Sequence, residues 1–333
     1  MSLLRRIAPA AVAILEDLEI RAGKRPDLRP DGNADLTGGV QAQECVLRVG
    51  VVRDVVPGVA PALELAAAGL VIKSPNGDVT LNNPPVVQAD TIKDKFDAVL
   101  LSCKAYDLDD AVKSFAPAVG ERTAIIPLLN GMRHLDVLDK KFGASHVLGG
   151  LCLTAVTLNE KREVVQLGPV QSLGFGERDG KMSDRVRAIA DVVRSCNFDG
   201  AASETVLQDM WEKWVFLASS AASTSLMRVP IGMILAAPGG KDFLLGILDE
   251  CRAVATAEGY PPRAPALERA TGMLTTEGSP LTASMFRDIK AGQPIEADHV
   301  IGDLIARADT AKVPVPRLRT AYTHLKAYEQ TRG

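Results

Sequence analysis

Lys213 stands in Met210-Trp211-Glu212-Lys213-Trp214-Val215-Phe216-Leu217, and for several turns beyond it almost every residue is apolar or small. An ammonium buried without a partner is expensive, and its pKa falls. A lysine in such a run therefore either snorkels to the surface or is held for use. If held, it suits general-acid chemistry, because a lysine of lowered pKa can hand a proton to an oxygen that is gaining negative charge. Glu296, in Pro294-Ile295-Glu296-Ala297-Asp298, is expected just inside a helix that begins near Pro294, where the helix dipole favours a carboxylate. Ser284, in Thr282-Ala283-Ser284-Met285, reads as a helix-start residue. On their own surroundings, a first-turn charge and a helix start remain the simpler readings of these two.

The other reactive side chains form no pattern. Cys45, Cys103, Cys152, Cys196 and Cys251 are odd in number and contain no CxxC pair, so they read as reduced core residues. His134, His146, His299 and His324 are scattered, and no metal site is expected.

The elements that must position these residues become orderly from residue 64. Glu64 to Ala68 reads as a helix end capped by Gly69. Leu70 to Ile72 reads as a strand, Ser74-Pro75-Asn76-Gly77 as a turn, and Asp78 to Leu81 as the returning arm of a hairpin. Ala98 to Ser102 is a short, fully apolar run of the kind a buried parallel strand needs. A helix over Asp107 to Phe115 follows, then strands over Ala124 to Leu129 and Val147 to Leu153 and an extended segment from Val164 to Phe175. Alternation of this kind predicts an α/β fold with an N-terminal Rossmann-like, doubly wound domain, whose ligands gather at the carboxyl ends of the strands, where Lys104 and Asn130 lie. Beyond residue 183 the chain reads almost entirely helical: Ser183 to Ser195, Thr205 to Met227, Gly239 to Glu258 and two segments after Pro280. The expected domains are 1–182, with 1–63 atypical, and an all-helical C-terminal domain over 183–333.

Composition narrows the class. With 47% hydrophobic and 24% charged residues in 333, the chain has the make-up of a soluble globular protein with room for two domains. Thirty-eight Lys and Arg against 41 Asp and Glu leave a net charge of -3, with no basic excess to hold nucleic acid. Trp214 to Met227 is too short for a membrane span, which needs about 20 residues, and reads as a buried helix. Arg5-Arg6 before Ile7 to Leu15 is followed at once by Glu16, Asp17 and Glu19, which disfavours a secretory signal, so a cytoplasmic location is expected.

Four blocks together, in order and over about four-fifths of the chain, resemble the ketopantoate reductase (2-dehydropantoate 2-reductase) family. They are Leu101-Ser102-Cys103-Lys104-Ala105-Tyr106, Asn130-Gly131-Met132, Trp211-Glu212-Lys213, and Ser284-Met285-Phe286-Arg287-Asp288 with Ile295-Glu296-Ala297-Asp298. The resemblance implies an NADPH-dependent reductase of a small 2-oxo acid, by default 2-dehydropantoate to pantoate as in pantothenate biosynthesis, with a homodimer as the assembly to test. It implies that Lys213 protonates the nascent alkoxide and that Glu296 orients the lysine and the product hydroxyl. It further implies that Ser284 binds the substrate carboxylate, while Lys104 and Asn130 line the cofactor and substrate cleft. These residue types suit the chemistry, because a ketone receiving hydride must have its oxygen polarised and protonated while its carboxylate is held still.

Two features depart from the family. Members that act on ketopantoate usually carry Asn one and two turns after the lysine, where this chain has Leu217 and Ala221; a paralogous reductase of another 2-oxo acid is therefore the alternative within the enzyme class. Residues 1–63 also contain no G-x-G-x-x-G; the nearest pieces are Gly38-Gly39, the strand-like Cys45 to Val52, and Gly50, Arg53 and Gly58. The expectation is a sheet without a properly placed first strand, irregular structure before residue 60 and weak NADPH binding. A catalytically silent member with a defective cofactor loop is the reading from a different class.

Overall fold

The computed structural model describes residues 69–82, 86–87, 89–194, 196 and 198–332, together with the strand residues 10–11, 14–15, 49–52 and 56–57. The chain divides into two compact units, the first from residues 1–102, 110–126 and 152–204, the second from 103–109, 127–151 and 205–333. Ala10–Ala11 and Val56–Pro57 form a separate two-stranded antiparallel pair; the other described strands are Ile14–Leu15 (β1), Val49–Val52 (β2), Leu70–Lys73 (β3), Val79–Leu81 (β4), Val86–Val87 (β5), Phe96–Leu101 (β6), Val119–Pro127 (β7), Gly149–Leu158 (β8), Val164–Gly176 (β9) and Asp199–Ala202 (β10).

In the first unit β6 is buried at Phe96, Ala98, Val99 and Leu101, as its apolar run predicts for a strand covered on both faces. It pairs in parallel with β2, Val49 opposite Ala98 and Val52 opposite Leu101. This corrects the expectation of a missing first strand. Val49-Gly50-Val51-Val52 is rich in β-branched residues that suit a pleated sheet, and β6 offers the partner, so the pairing does not depend on a glycine turn beyond it. The sheet runs in the order β5-β1-β2-β6-β7. Thr123 ties β7 to β6 through its hydroxyl, which donates to the Phe96 carbonyl at 2.6 Å.

A second sheet holds the predicted hairpin: β3 and β4 are antiparallel, and the Gly77 N–H donates to the Ser74 carbonyl at 3.0 Å across the turn. β9 pairs in parallel with β3 and, at its other end, with β10, where Ser172 faces Asp199 and Phe175 faces Ala202. The helix-only reading beyond residue 183 missed β10. Asp199-Gly200-Ala201-Ala202 has little strand propensity of its own, and its neighbour β9 imposes the extended form. The helix end expected over Glu64 to Ala68 lies outside the described residues.

The helices are Leu108–Phe115 (α1), Arg133–Phe142 (α2), Asp184–Arg194 (α3), Val206–Met227 (α4), Ile231–Ala236 (α5), Gly240–Ala257 (α6), Ala264–Leu274 (α7), Ser284–Lys290 (α8), Asp303–Ala311 (α9) and Pro316–Arg332 (α10). Three of them, α2, α5 and α7, have no counterpart in the sequence reading, and three rather than two follow Pro280. α4 is the centre of the second unit. From Ala218 to Ser225 every residue is buried, and the small side chains let neighbouring helices approach. Some of its hydroxyls bond back to the helix, Ser219 Oγ donating to the Val215 carbonyl at 2.6 Å and Thr224 Oγ1 to that of Ser220 at 2.7 Å, while those of Ser223 and Ser225 are buried without a hydrogen-bond partner among the described residues. Buried Glu250 on α6 accepts the Arg317 and Leu318 N–H groups at 3.1 and 2.9 Å, a carboxylate set against the N-terminus of α10. Among the described residues no helix is long and apolar enough to cross a membrane.

Candidate active site

Lys213 is held by its neighbours on α4. Trp211 and Trp214 flank it in sequence and are both buried. Trp214 donates its indole N–H to the Val300 carbonyl at 3.0 Å, and the Arg307 guanidinium lies over both indole rings, 5.6 and 5.8 Å from their centroids. Glu212 is occupied elsewhere, accepting the two-pronged guanidinium of Arg263 at 2.7 and 2.8 Å. With both sides anchored, the half-buried Lys213 lines a crevice shared with Asn130, Gly131 and Leu217. Sequence left open whether Lys213 is spent on the surface or kept inside. In the structure it borders a recess together with a second polar side chain.

Asn130 sits in the turn three residues beyond β7, and the turn needs Gly131. Gly131 has φ +81°, and a Cβ there would lie 2.9 Å from the His299 carbonyl oxygen and 3.1 Å from its ring. His299 is stacked on His134, with Nε2 3.2 Å from His134 Nδ1. Burial pushes the His299 imidazole down to about 4, against the pull of Asp303. The two histidines thus form a buried support under the Asn130-Gly131 turn. Replacement of Gly131 by alanine combines a strained backbone with a contact on a carbonyl that cannot yield, so a loss of about 2 kcal/mol is expected. Urea unfolding measures it, alongside the KM for an oxo acid, which should rise because Asn130 moves; a variant with wild-type midpoint and KM contradicts this account.

Lys104, three residues beyond β6, meets two carboxylates. Its Nζ is 3.2 Å from Asp288 Oδ2 and 3.6 Å from Glu296 Oε2. Burial alone would lower the ammonium, but Glu296 and Asp288 outweigh it and hold the pKa above the ordinary lysine value. Glu296, 8% exposed, also accepts the Ala105 N–H at 3.0 Å. The helix expected near Pro294 begins later, and a π-turn over Asp298–Gly302 precedes α9. Glu296 therefore stands just ahead of it, its carbonyl accepting the Val300 N–H at 2.9 Å and its carboxylate turned to Lys104 and Ala105. Ser284 opens α8 and lies four residues before Asp288, on the same face of that helix.

Two clusters result, both within the second unit: Lys213 with Asn130, and Lys104 with Glu296 and Asp288. In sequence, only its i, i+4 spacing from Ser284 singles out Asp288. His134 and His299, 165 positions apart, carry no such mark.

Residues 53–180 match the family model described as ketopantoate reductase PanE/ApbA, and residues 205–329 match its C-terminal model. The chain belongs to the ketopantoate reductase family. It is accordingly an oxidoreductase acting on a CH–OH group with a nicotinamide cofactor. A Bacillus subtilis relative, the uncharacterised oxidoreductase YkpB, is 32% identical over 268 residues, 80% of this chain and 88% of its own. The crystal structure of 2-dehydropantoate 2-reductase from Methylococcus capsulatus is similar with a TM-score of 0.71 at 28% identity, covering 81% of this chain and 87% of that one. D-mandelate dehydrogenase, in a ternary structure with NADH and anilino(oxo)acetate, shares the ketopantoate reductase fold at a TM-score of 0.73, with 17% identity and coverage of 85% and 91%.

Proposed function

We propose that this chain reduces a 2-oxo acid to the 2-hydroxy acid with NADPH, 2-dehydropantoate being the first substrate to test. The observation that carries the reading is Lys213 beside Asn130 in one crevice, a proton donor next to an amide that can hold an oxygen in place. Bound NADPH would supply the hydride. Lys213 Nζ would give its proton to the oxo oxygen as charge develops there, and the Asn130 amide would hold the acceptor in line. Ser284 would bind the substrate carboxylate. Glu296, fixed by Lys104 and the Ala105 N–H, would hold this end of the site in one geometry.

The residues fit a dinucleotide in one respect that the structure describes. β2 and β6 form a parallel pair, and dinucleotides lie beyond the carboxyl ends of such strands, where Lys104 and Asn130 follow β6 and β7. In this reading residues 1–182 carry the cofactor, 183–333 supply Lys213, Ser284 and Glu296, and the working assembly is a homodimer. The test is NADPH oxidation by the purified chain, followed at 340 nm with 2-dehydropantoate and other 2-oxo acids, together with quenching of Trp211 and Trp214 fluorescence by NADPH. Quenching and turnover are expected; a chain that neither binds NADPH nor consumes any 2-oxo acid is not a reductase.

A further inference from the structure

A substrate carboxylate brings a full negative charge to the start of α8, where Ser284 offers it only a neutral hydroxyl. Lys104 cannot balance that charge. It already faces Asp288 at 3.2 Å and Glu296 at 3.6 Å, so two carboxylates share one cation on that side. A further anion left without its own cation would be desolvated and repelled. Arg287 lies three residues beyond Ser284, a spacing that makes the two neighbours on the helix surface. It is half-buried and has no carboxylate partner among the described residues. Instead its Nη1 donates to the Thr282 carbonyl at 3.0 Å, which brings the side chain back toward the start of the helix. That bond uses one N–H of the five in a guanidinium, whose planar fork fits a carboxylate. The backbone it reaches is itself held: the Ala283 N–H donates to Thr224 Oγ1 at 3.3 Å, and the Leu281 carbonyl accepts the Ile231 N–H at 3.0 Å. The start of α8 is thus tied to α4 and α5.

Building on the reductase reading above, we propose that Arg287 is the charge partner of the substrate carboxylate and binds it together with Ser284. The hydroxyl donates one hydrogen bond and the free edge of the guanidinium the others, so the acid is held by its charged end while Lys213 serves the oxo oxygen. The carboxylate carries the same charge before and after reduction. The interaction is therefore equal in the ground and transition states, and its loss falls on KM rather than on kcat. A neutral analogue, which cannot take up the charge of the guanidinium, gains nothing from it.

Arg287→Gln removes the charge and keeps a polar side chain. With whichever of 2-dehydropantoate, 3-methyl-2-oxobutanoate and phenylglyoxylate the wild type consumes best, KM is expected to rise by about tenfold or more while kcat changes by less than about threefold. The neutral phenylglyoxylamide separates this from a general disturbance of the site: its kcat/KM, or its inhibition constant where it is not reduced, should be the same in both proteins. Arg287→Lys, a point charge without the fork, should give an intermediate KM. Equal weakening of acid and amide, or an unchanged KM for the acid, overturns the proposal but leaves the reductase reading standing. A wild-type chain that consumes none of the three acids overturns both. If Arg287→Gln does not fold, Arg287→Lys carries the same comparison, and only the acid should weaken.

Discussion

Replacing Lys213 with alanine is expected to lower the turnover of any 2-oxo acid by at least about a hundredfold, the scale that follows loss of a general acid. The fold should survive, because the segment is anchored by its neighbours: Trp214 on Val300, Glu212 on Arg263, and Arg307 over both indoles. Lys213→Arg separates charge from proton transfer. A guanidinium keeps the positive charge yet holds its protons far too tightly to donate one at neutral pH, so KM should change less than kcat. Steady-state kinetics on the three proteins, with melting curves as the control for folding, measure both effects. Near wild-type turnover in Lys213→Ala would remove the lysine from the mechanism and leave Asn130 alone in the crevice.

What could be read in the sequence was local. β6 announces itself through the apolar run Ala98 to Ser102, and α4 because small and apolar residues run on past any strand length. The hairpin over β3 and β4 follows from its own turn residues. What could not be read was set by partners distant in sequence. β10 is extended because β9 lies beside it; Cys45 to Val52 reads as strand-like, but the place of Val49–Val52 in the sheet beside β6 has no glycine signature to mark it. The site divides in the same way. Lys213 could be singled out from its apolar neighbours and Asn130 from its place after a strand, but the grip of Lys104 on Asp288 joins positions 184 apart. Glu296 shows the limit most clearly: its residue type and rough place were legible, whereas the partners that hold its carboxylate, Lys104 and the Ala105 N–H, lie far off in the chain, the latter 191 positions away.

The stability of the protein should fall in weak acid through His299. Its imidazole is buried, 6% exposed, and its pKa is pushed down to about 4 by that burial, with Arg133 adding to the effect and Asp303 and the Asn130 backbone opposing it. In the unfolded chain the same group titrates near the ordinary histidine value of about 6.5. Above that pH both states are neutral and the contribution to stability is complete. As the pH falls further, the unfolded chain takes up a proton that the native chain refuses, so stability drops until the folded pKa is reached. The expected loss is roughly 2 kcal/mol at pH 5 and roughly 3 kcal/mol at pH 4, obtained from about 1.4 kcal/mol per pKa unit. His299→Gln removes the titrating group while leaving a polar side chain under the Gly131 turn, and should flatten this dependence. Urea unfolding of both proteins at pH 7 and pH 5 tests it. Equal losses in the two would show that other groups govern acid stability. A smaller loss in the variant would tie the Asn130 turn, through Gly131 and its contact with His299, to the protonation of a residue outside the crevice.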